Sequence, residues 1–148
     1  MVELVVVLVV TGIMAAVAVP KLMAATAMRD GGWHDQVLSA LRYAQKAAVG
    51  HRRLVCATVN ATSITLGIST VNPGTTCDAT LINSDGTGTA ASTTNANAAT
   101  AVSAAGVIYF QPDGRATSDG AGTTSSSRTV SMSGATNITV TGETGYVQ

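Results

Sequence analysis

The chain has 148 residues, the size of one domain or of a small domain with an appendage. Eight basic and eight acidic residues give a formal net charge of zero, so the whole molecule has no electrostatic attraction to nucleic acid. Only 11% of the residues are charged and 3% are aromatic. The surface must therefore consist largely of small polar residues and alanine, which is common in exported, assembled proteins and unusual for a cytosolic enzyme.

The charge is distributed unevenly along the chain. Up to Arg53, six basic residues face three acidic ones, which gives +3, and beyond Arg53 two basic residues face five acidic ones, which gives −3. Opposite halves of this kind suit subunits that stack head to flank, and a chance distribution of solvated charges is the alternative explanation.

The first predicted element is an apolar helix. Residues Leu4 to Val19 contain no charge, and with their flanks they make about 20 positions, which reach roughly 30 Å as a helix. A standard secretory signal peptide is not indicated, because no basic region precedes the segment, no Ala-x-Ala site ends it and the helical pattern continues. The segment predicts a membrane-spanning helix.

Three residues of this helix differ in character from the apolar residues around them. Glu3 borders the apolar span, where a carboxylate at the membrane centre costs on the order of 2.5–3.5 kcal/mol, so it must be paired or reach the interface. An acid favoured by the helix dipole at the N-terminus is the simpler alternative. Gly12 and Pro20 weaken the helix, by about 1 and about 3 kcal/mol.

Glu3, the apolar residues that follow it, Gly12 and Pro20 together closely resemble the N-terminus of type IV pilins and type II secretion pseudopilins. Mature chains of that family usually begin Phe-Thr, followed by two apolar residues and the glutamate. This chain has two residues before Glu3, so we expect the processed, N-methylated terminus to lie outside this sequence. The resemblance implies that Glu3 meets the N-terminal amine of a neighbouring subunit during assembly, and that the segment between Gly12 and Pro20 can unwind in filaments.

A second, amphipathic helical stretch follows. Its apolar face repeats every three to four residues, at Trp33, Val37, Leu41, Ala44 and Ala48. Asp30-Gly31-Gly32 is expected to interrupt the two stretches, either as a hinge or as a point of close contact with a neighbour. Gly50 is the predicted C-terminal stop.

The remainder alternates like short strands. The candidates are Leu54–Val59, Ser63–Thr70, Gly106–Phe110, Arg128–Ser133 and Asn137–Thr141. Pro112-Asp113-Gly114 is a turn signal, and residues 81–105 are rich in small polar residues and predict a long surface loop.

Within this half the sequence resembles the GspH/FimT-like branch of the family. The resemblance rests on Leu38-x-x-Leu41-Arg42-Tyr43-Ala44 before Leu54-Val55-Cys56, on residues 107–115, and on Ile138-Thr139-Val140 with Thr144-Gly145. It implies an α+β, pilin-like fold, in which a long N-terminal helix packs on a small antiparallel β-rich head. Residues 1–30 are then the membrane or filament-core half, and residues 31–148 are the amphipathic helix and exported head.

Cys56 and Cys77 are the only cysteines, and an even pair in an exported domain predicts a disulfide. Closing a loop of about 20 residues stabilises a domain by roughly 3 kcal/mol. A catalytic or metal-binding thiol is the rival interpretation, but the sequence offers no CxxC motif, no nearby histidine and no acidic cluster.

No motif for catalysis or cofactor binding is present, and His34 and His51 are predicted to be surface or packing residues. We therefore predict that the chain is not an enzyme and needs no cofactor and no metal. Some FimT-like proteins bind DNA near a Gly-Arg-x-Arg ending, which here reads Gly145-Tyr146-Val147-Gln148. Arg52 and Arg53 remain as candidate weak nucleic-acid contacts, and DNA is not expected as a partner.

The resemblance implies a structural subunit of a type IV pilus-like, homo-oligomeric helical filament. It also implies partners, namely a prepilin peptidase and inner-membrane assembly machinery, and residence in the bacterial inner membrane with the head in the periplasm before export into an extracellular filament. The alternatives are a minor GspH-like pseudopilin of a type II secretion pseudopilus and a FimT-like DNA-binding competence pilin.

Overall fold

The computed structural model describes residues 2–83, 85–94, 100–102, 106–132 and 135–148, with the backbone alone for residues 20–30 and 100–102. Within these residues, one long helix is followed by nine strands. All strand pairs in the described ranges are antiparallel.

Helix α1 runs without a break from Val2 to His51. The expected interruption at Asp30-Gly31-Gly32 is therefore wrong. Each glycine costs about 1 kcal/mol of helix propensity, but extending a formed helix is much easier than nucleating a second one. Open space surrounds the positions where side chains of Gly31 and Gly32 would begin, so neither glycine is required by packing within one chain.

The helix ends one residue later than the predicted stop at Gly50. Arg52 takes the left-handed conformation, with φ of 52°. The N–H of Arg52 donates to the carbonyl of Val49 (3.2 Å), and the N–H of Arg53 donates to that of Ala48 (3.1 Å). These two bonds form a Schellman motif, in which arginine occupies the position that glycine usually takes.

The nine strands divide between two sheets. In chain order they are β1 (Val55–Val59), β2 (Ser63–Ile68), β3 (Ala79–Thr80), β4 (Thr89–Ser92), β5 (Thr100–Val102), β6 (Val107–Phe110), β7 (Ala116–Thr117), β8 (Arg128–Met132) and β9 (Ile138–Val140). The larger sheet has the order β3-β2-β1-β6-β7, with β4 also paired to β2, and the smaller has the order β5-β8-β9. The five predicted strands are confirmed within the described residues, with ends that differ by one or two positions.

The predicted loop over residues 81–105 is only partly correct. Residues 84, 95–99 and 103–105 lie outside the described residues, but strands β4 and β5 fall within this stretch. Strand β4 pairs with the edge of β2, where Ile64 lies opposite the buried Ala91. This short strand of threonine, alanine and serine is stabilised by pairing with β2, and the composition of the stretch alone does not predict such pairing.

The core lies between the second half of the helix and the sheets. The helix contributes the apolar face predicted from its spacing, and Val37, Leu41, Ala44 and Ala48 are fully buried. Alternate residues of β1 and β6 face this helix because successive side chains of a strand point to opposite faces. The inward residues are Val55, Ala57, Val59, Ile108 and Phe110. Cys56 and Thr58 therefore face away from the helix.

Candidate functional site

The described N-terminal part of the helix is not buried by the rest of the chain. Residues Val2–Val19 form a candidate membrane span by length and composition, with a mean hydropathy of 2.7, and none of it is buried. The same helix is covered by the head from Trp33, which is 2% exposed. Apolar side chains in such numbers are rarely left open to water, so this half-helix needs either lipid or other protein around it.

Of the three residues predicted to act in assembly, Glu3 and Gly12 lie in this uncovered segment, and Pro20 follows it directly in the sequence. Glu3 is exposed in the first turn of α1, where a carboxylate interacts favourably with the helix dipole. A side chain at Gly12 would meet nothing within 4 Å. The backbone is helical through both Gly12 and Pro20. Within the described part of one chain, the fold brings neither Glu3 nor Gly12 to another element.

Thr11 is a polar residue of this span that the sequence analysis did not single out. Its hydroxyl donates to the carbonyls of Val7 (2.8 Å) and Leu8 (3.1 Å) in the preceding turn. A hydroxyl paired in this way needs no water, so Thr11 is compatible with an apolar environment on every side.

The two cysteines are joined, in agreement with the prediction. Cys56 of β1 and Cys77, which precedes β3, form a disulfide with Cα atoms 6.1 Å apart. The bond spans 21 positions of sequence and ties the segment after β2 to the outer face of the larger sheet. Neither cysteine is a free thiol.

The sequence matches no protein-family model and no curated protein. Its structure is similar to the crystal structure of the type IV minor pilin FimU of Pseudomonas aeruginosa, with a TM-score of 0.53. The similarity covers 80% of this chain and 85% of that one, at 15% sequence identity.

The chain has a pilin fold.

Arg52 and Arg53, the two candidate DNA contacts, have structural roles in the head. The Arg53 guanidinium donates through Nη1 to the carbonyls of Ser69 (3.3 Å) and Thr70. It thereby anchors the segment after β2 to the end of the helix. Arg52 sits in the Schellman turn. Arg53 is thus occupied by backbone carbonyls, and the two arginines do not form a free cationic pair.

The C-terminal residues are also part of the packed pilin head. Val147 is 1% exposed and forms a bridge with Val140, while Thr139 and Gln148 exchange two backbone hydrogen bonds (2.8 and 3.0 Å). From the helix, Arg42 Nε donates to the carbonyl of Val147 (3.1 Å), and Gln45 Nε2 donates to that of Thr144 (2.9 Å). These hydrogen bonds between the helix and the C-terminal segment were not predicted, although Arg42 and Gln45 lie on the polar side of the amphipathic helix.

Four acidic residues of the head have a pKa below the ordinary value of 3.8. The hydroxyl and N–H of Thr70 lower the pKa of Asp78, with a smaller contribution from Arg53. Thr87 lowers the pKa of Asp85, and Thr123 lowers that of Asp119. Burial alone would raise the pKa of Asp113, but hydrogen bonds from Arg115 outweigh it.

The two histidines lie at the surface ends of the amphipathic half-helix. His34 contacts Asp35 (Nδ1 to Oδ1, 3.2 Å) and Thr136 (Nε2 to Oγ1, 3.3 Å), and His51 is exposed in the last turn. Among the described residues, no three histidine, cysteine or acidic side chains group in a way that could hold a metal ion.

Proposed function

We propose that this chain is a pilin subunit of a type IV pilus-like filament, held together by its N-terminal helices. The observation that carries this proposal is the contrast along α1. The head covers the helix from Trp33, whereas the segment Val2–Val19 is predominantly apolar and uncovered. A half-helix of this kind is suited to lipid before assembly and to a core of identical helices afterwards.

Assembly replaces lipid contacts by helix contacts, so burial of apolar area changes little in the exchange. Specific pairing then has to come from polar groups and close packing. Glu3 is the only acid in the span and, in this proposal, it pairs with the N-terminal amine of a neighbouring subunit, which offsets its desolvation. Gly12 permits close approach of a second helix. Pro20 lacks an N–H, which allows local unwinding near it.

In this proposal residues 1–30 form the membrane or filament-core part, and residues 31–148 form the exported part. The chain waits in the inner membrane as a single-pass protein with its head in the periplasm. A prepilin peptidase and inner-membrane assembly machinery are the partners it needs, and the assembled product is an extracellular homo-oligomeric filament. Charges of +3 up to Arg53 and −3 beyond it support stacking of one head on the flank of the next.

A second candidate is a minor subunit that primes or tips a filament. It is favoured by the structural similarity to FimU, which is a type IV minor pilin. A GspH-like pseudopilin would have the corresponding minor role in the pseudopilus of a type II secretion system. A FimT-like DNA-binding role is the least supported, because Arg53 is engaged by carbonyl groups and the C-terminal segment is packed into the head.

Filaments sheared from cells that express the chain natively test the proposal. Mass spectrometry of the sheared fraction should identify this chain. The fraction of total filament protein that it makes up distinguishes a major pilin from a minor one. A main polypeptide indicates the major pilin, whereas a trace component, with filament number reduced when the gene is deleted, indicates a priming subunit. Complete absence from the filaments, with the chain retained in the membrane, would contradict both.

A further inference from the structure

The face of the larger sheet that points away from the helix carries an open cavity of about 670 Å³. Outward residues of three strands form its floor. Cys56 lies between Gly67 and Tyr109 in one cross-strand row, and Thr58 lies between Thr65 and Val107 in the next. The disulfide draws the segment after β2 over this face, so that residues 75–80 make one wall. Ligand sites in proteins commonly have volumes of this order.

The chemistry of the lining is neutral and rich in hydroxyl groups. Five threonines of three different segments contribute side chains whose hydroxyls have no hydrogen bond within the described ranges of the chain: Thr58, Thr65, Thr75, Thr76 and Thr80. Each of these hydroxyls can both donate and accept. Tyr109 adds a half-buried aromatic ring and a phenolic hydroxyl.

The one charged side chain of the lining is already engaged. Asp78 Oδ1 accepts from the N–H of Thr70 (2.7 Å), and Oδ2 accepts from the Thr70 hydroxyl. No lysine or arginine lines the cavity as described. A phosphate or carboxylate would therefore lose its hydration without gaining a cation, and a cation would find no free carboxylate.

We propose that this cavity, here called the outer cleft, binds a neutral saccharide. Sugars present alternating hydroxyls and an apolar C–H face, which match the threonine hydroxyls and the Tyr109 ring respectively. The outer cleft lies on the face opposite α1, so helix packing leaves it open. Binding requires only the folded head, and the proposal stands whether or not the chain forms filaments.

The test uses the full chain in dodecylphosphocholine micelles, because a maltoside detergent would itself compete as a sugar. Maltotriose, lactose and N,N′-diacetylchitobiose are the neutral probes, and 3′-sialyllactose and inorganic phosphate are the charged ones. NMR titration of backbone amides should give a dissociation constant of about 1 mM or lower for at least one neutral probe. The shifted signals should map to β1, β2 and residues 75–80, and raising the salt concentration should change the affinity less than twofold.

Isosteric variants locate the site. Thr58→Val removes a hydroxyl from the floor, and the exposed Thr75→Val removes one from the wall without risk to the fold. Each should weaken binding about fivefold. Thr139→Val on β9 of the other sheet is the matched control and should bind as the wild type does. The proposal is overturned if no neutral probe binds below about 10 mM, if a charged probe binds better, or if affinity survives both cleft substitutions.

Discussion

Gly67 lies directly beneath Cys77. A Cβ atom on Gly67 would stand 2.9 Å from the Cβ of Cys77, which is closer than real side chains approach. Gly67 is also the register partner of Cys56. Both ends of the disulfide therefore meet over one glycine, whose missing side chain lets the segment after β2 cross the outer face of the sheet.

Gly67→Ala should consequently weaken the head. The added methyl group must displace either the disulfide or β2, and we expect a loss of about 1–3 kcal/mol in the free energy of unfolding. Trp33, the single tryptophan and 2% exposed, reports unfolding by fluorescence. Gly50→Ala is the control, because a Cβ there meets nothing within 4 Å in a helix and should add about 0.5–1 kcal/mol. Equal effects of the two substitutions would refute the steric role of Gly67.

Arg52 holds a backbone conformation that glycine adopts at no cost. Arg52→Gly should therefore make the head more stable than Arg52→Ala by about 1 kcal/mol, since both remove the charge and only glycine relieves the left-handed strain. Chemical unfolding of the two variants side by side measures this difference. If Arg52→Ala proves as stable as Arg52→Gly, the Schellman turn is not strained.

The helix and the main strands could be predicted because their patterns are local. The three- to four-residue spacing from Trp33 to Ala48 gives the buried helix face, and alternation in Val55–Val59 gives a strand with one face inward. The exposed apolar span followed from composition alone.

Features that depend on distant contacts could not be predicted in this way. Strand β4 exists because β2 offers it an edge, and its own residues show no strong pattern. Arg52 replaces glycine in the helix-ending turn, so the sequence pointed to Gly50 instead. The outer cleft depends on where the disulfide places residues 75–80, and threonines scattered over several segments give no motif.

Asp78 should make the stability of the head sensitive to acid. Its pKa is below 3.8 in the folded head because Thr70 donates to the carboxylate, so the folded state favours the ionised form. Its contribution is complete above about pH 5 and is lost as the pH falls through 3.8 towards the folded pKa. The difference in unfolding free energy between the wild type and Asp78→Asn should therefore become smaller as the pH is lowered from about 6 to about 3.

Unfolding curves at a series of pH values test this expectation. Glu143→Gln is the matched control, since it removes the same formal charge without removing the hydrogen bonds from Thr70. A difference between wild type and Asp78→Asn that stays constant over the whole range would contradict the role of the Thr70 hydrogen bonds.

Duplex DNA should bind this chain only weakly. The chain beyond Arg53 has a formal charge of −3, and Arg53 is held by the carbonyls of Ser69 and Thr70. Each neutralised phosphate steepens the salt dependence of affinity, and one or two contacts are too few for tight binding. Fluorescence anisotropy in about 150 mM salt should give a dissociation constant weaker than micromolar.

Micromolar or tighter DNA binding that is lost in the Arg52→Ala/Arg53→Ala double variant would instead support the competence-pilin role. Isolated chains and intact filaments must be compared in this assay, because a filament repeats a weak site along its length and gains avidity without any new contact.

The most direct test of assembly through the N-terminal helix is the incorporation of Glu3→Ala into filaments. Glu3 is exposed beside an uncovered apolar span, and its proposed partner is the amine of another subunit. Removing the carboxylate leaves the span at least as apolar, so the variant should still enter the membrane. Asp35→Ala, which removes an exposed acid from the head-covered half of the same helix, is the matched control.

Quantitative immunoblots of membrane and sheared-filament fractions give the measurement. We expect wild-type levels of both variants in the membrane, a loss of roughly tenfold or more of Glu3→Ala from filaments, and near-normal incorporation of Asp35→Ala. Filament incorporation of Glu3→Ala equal to that of the wild type would contradict the proposed assembly through Glu3.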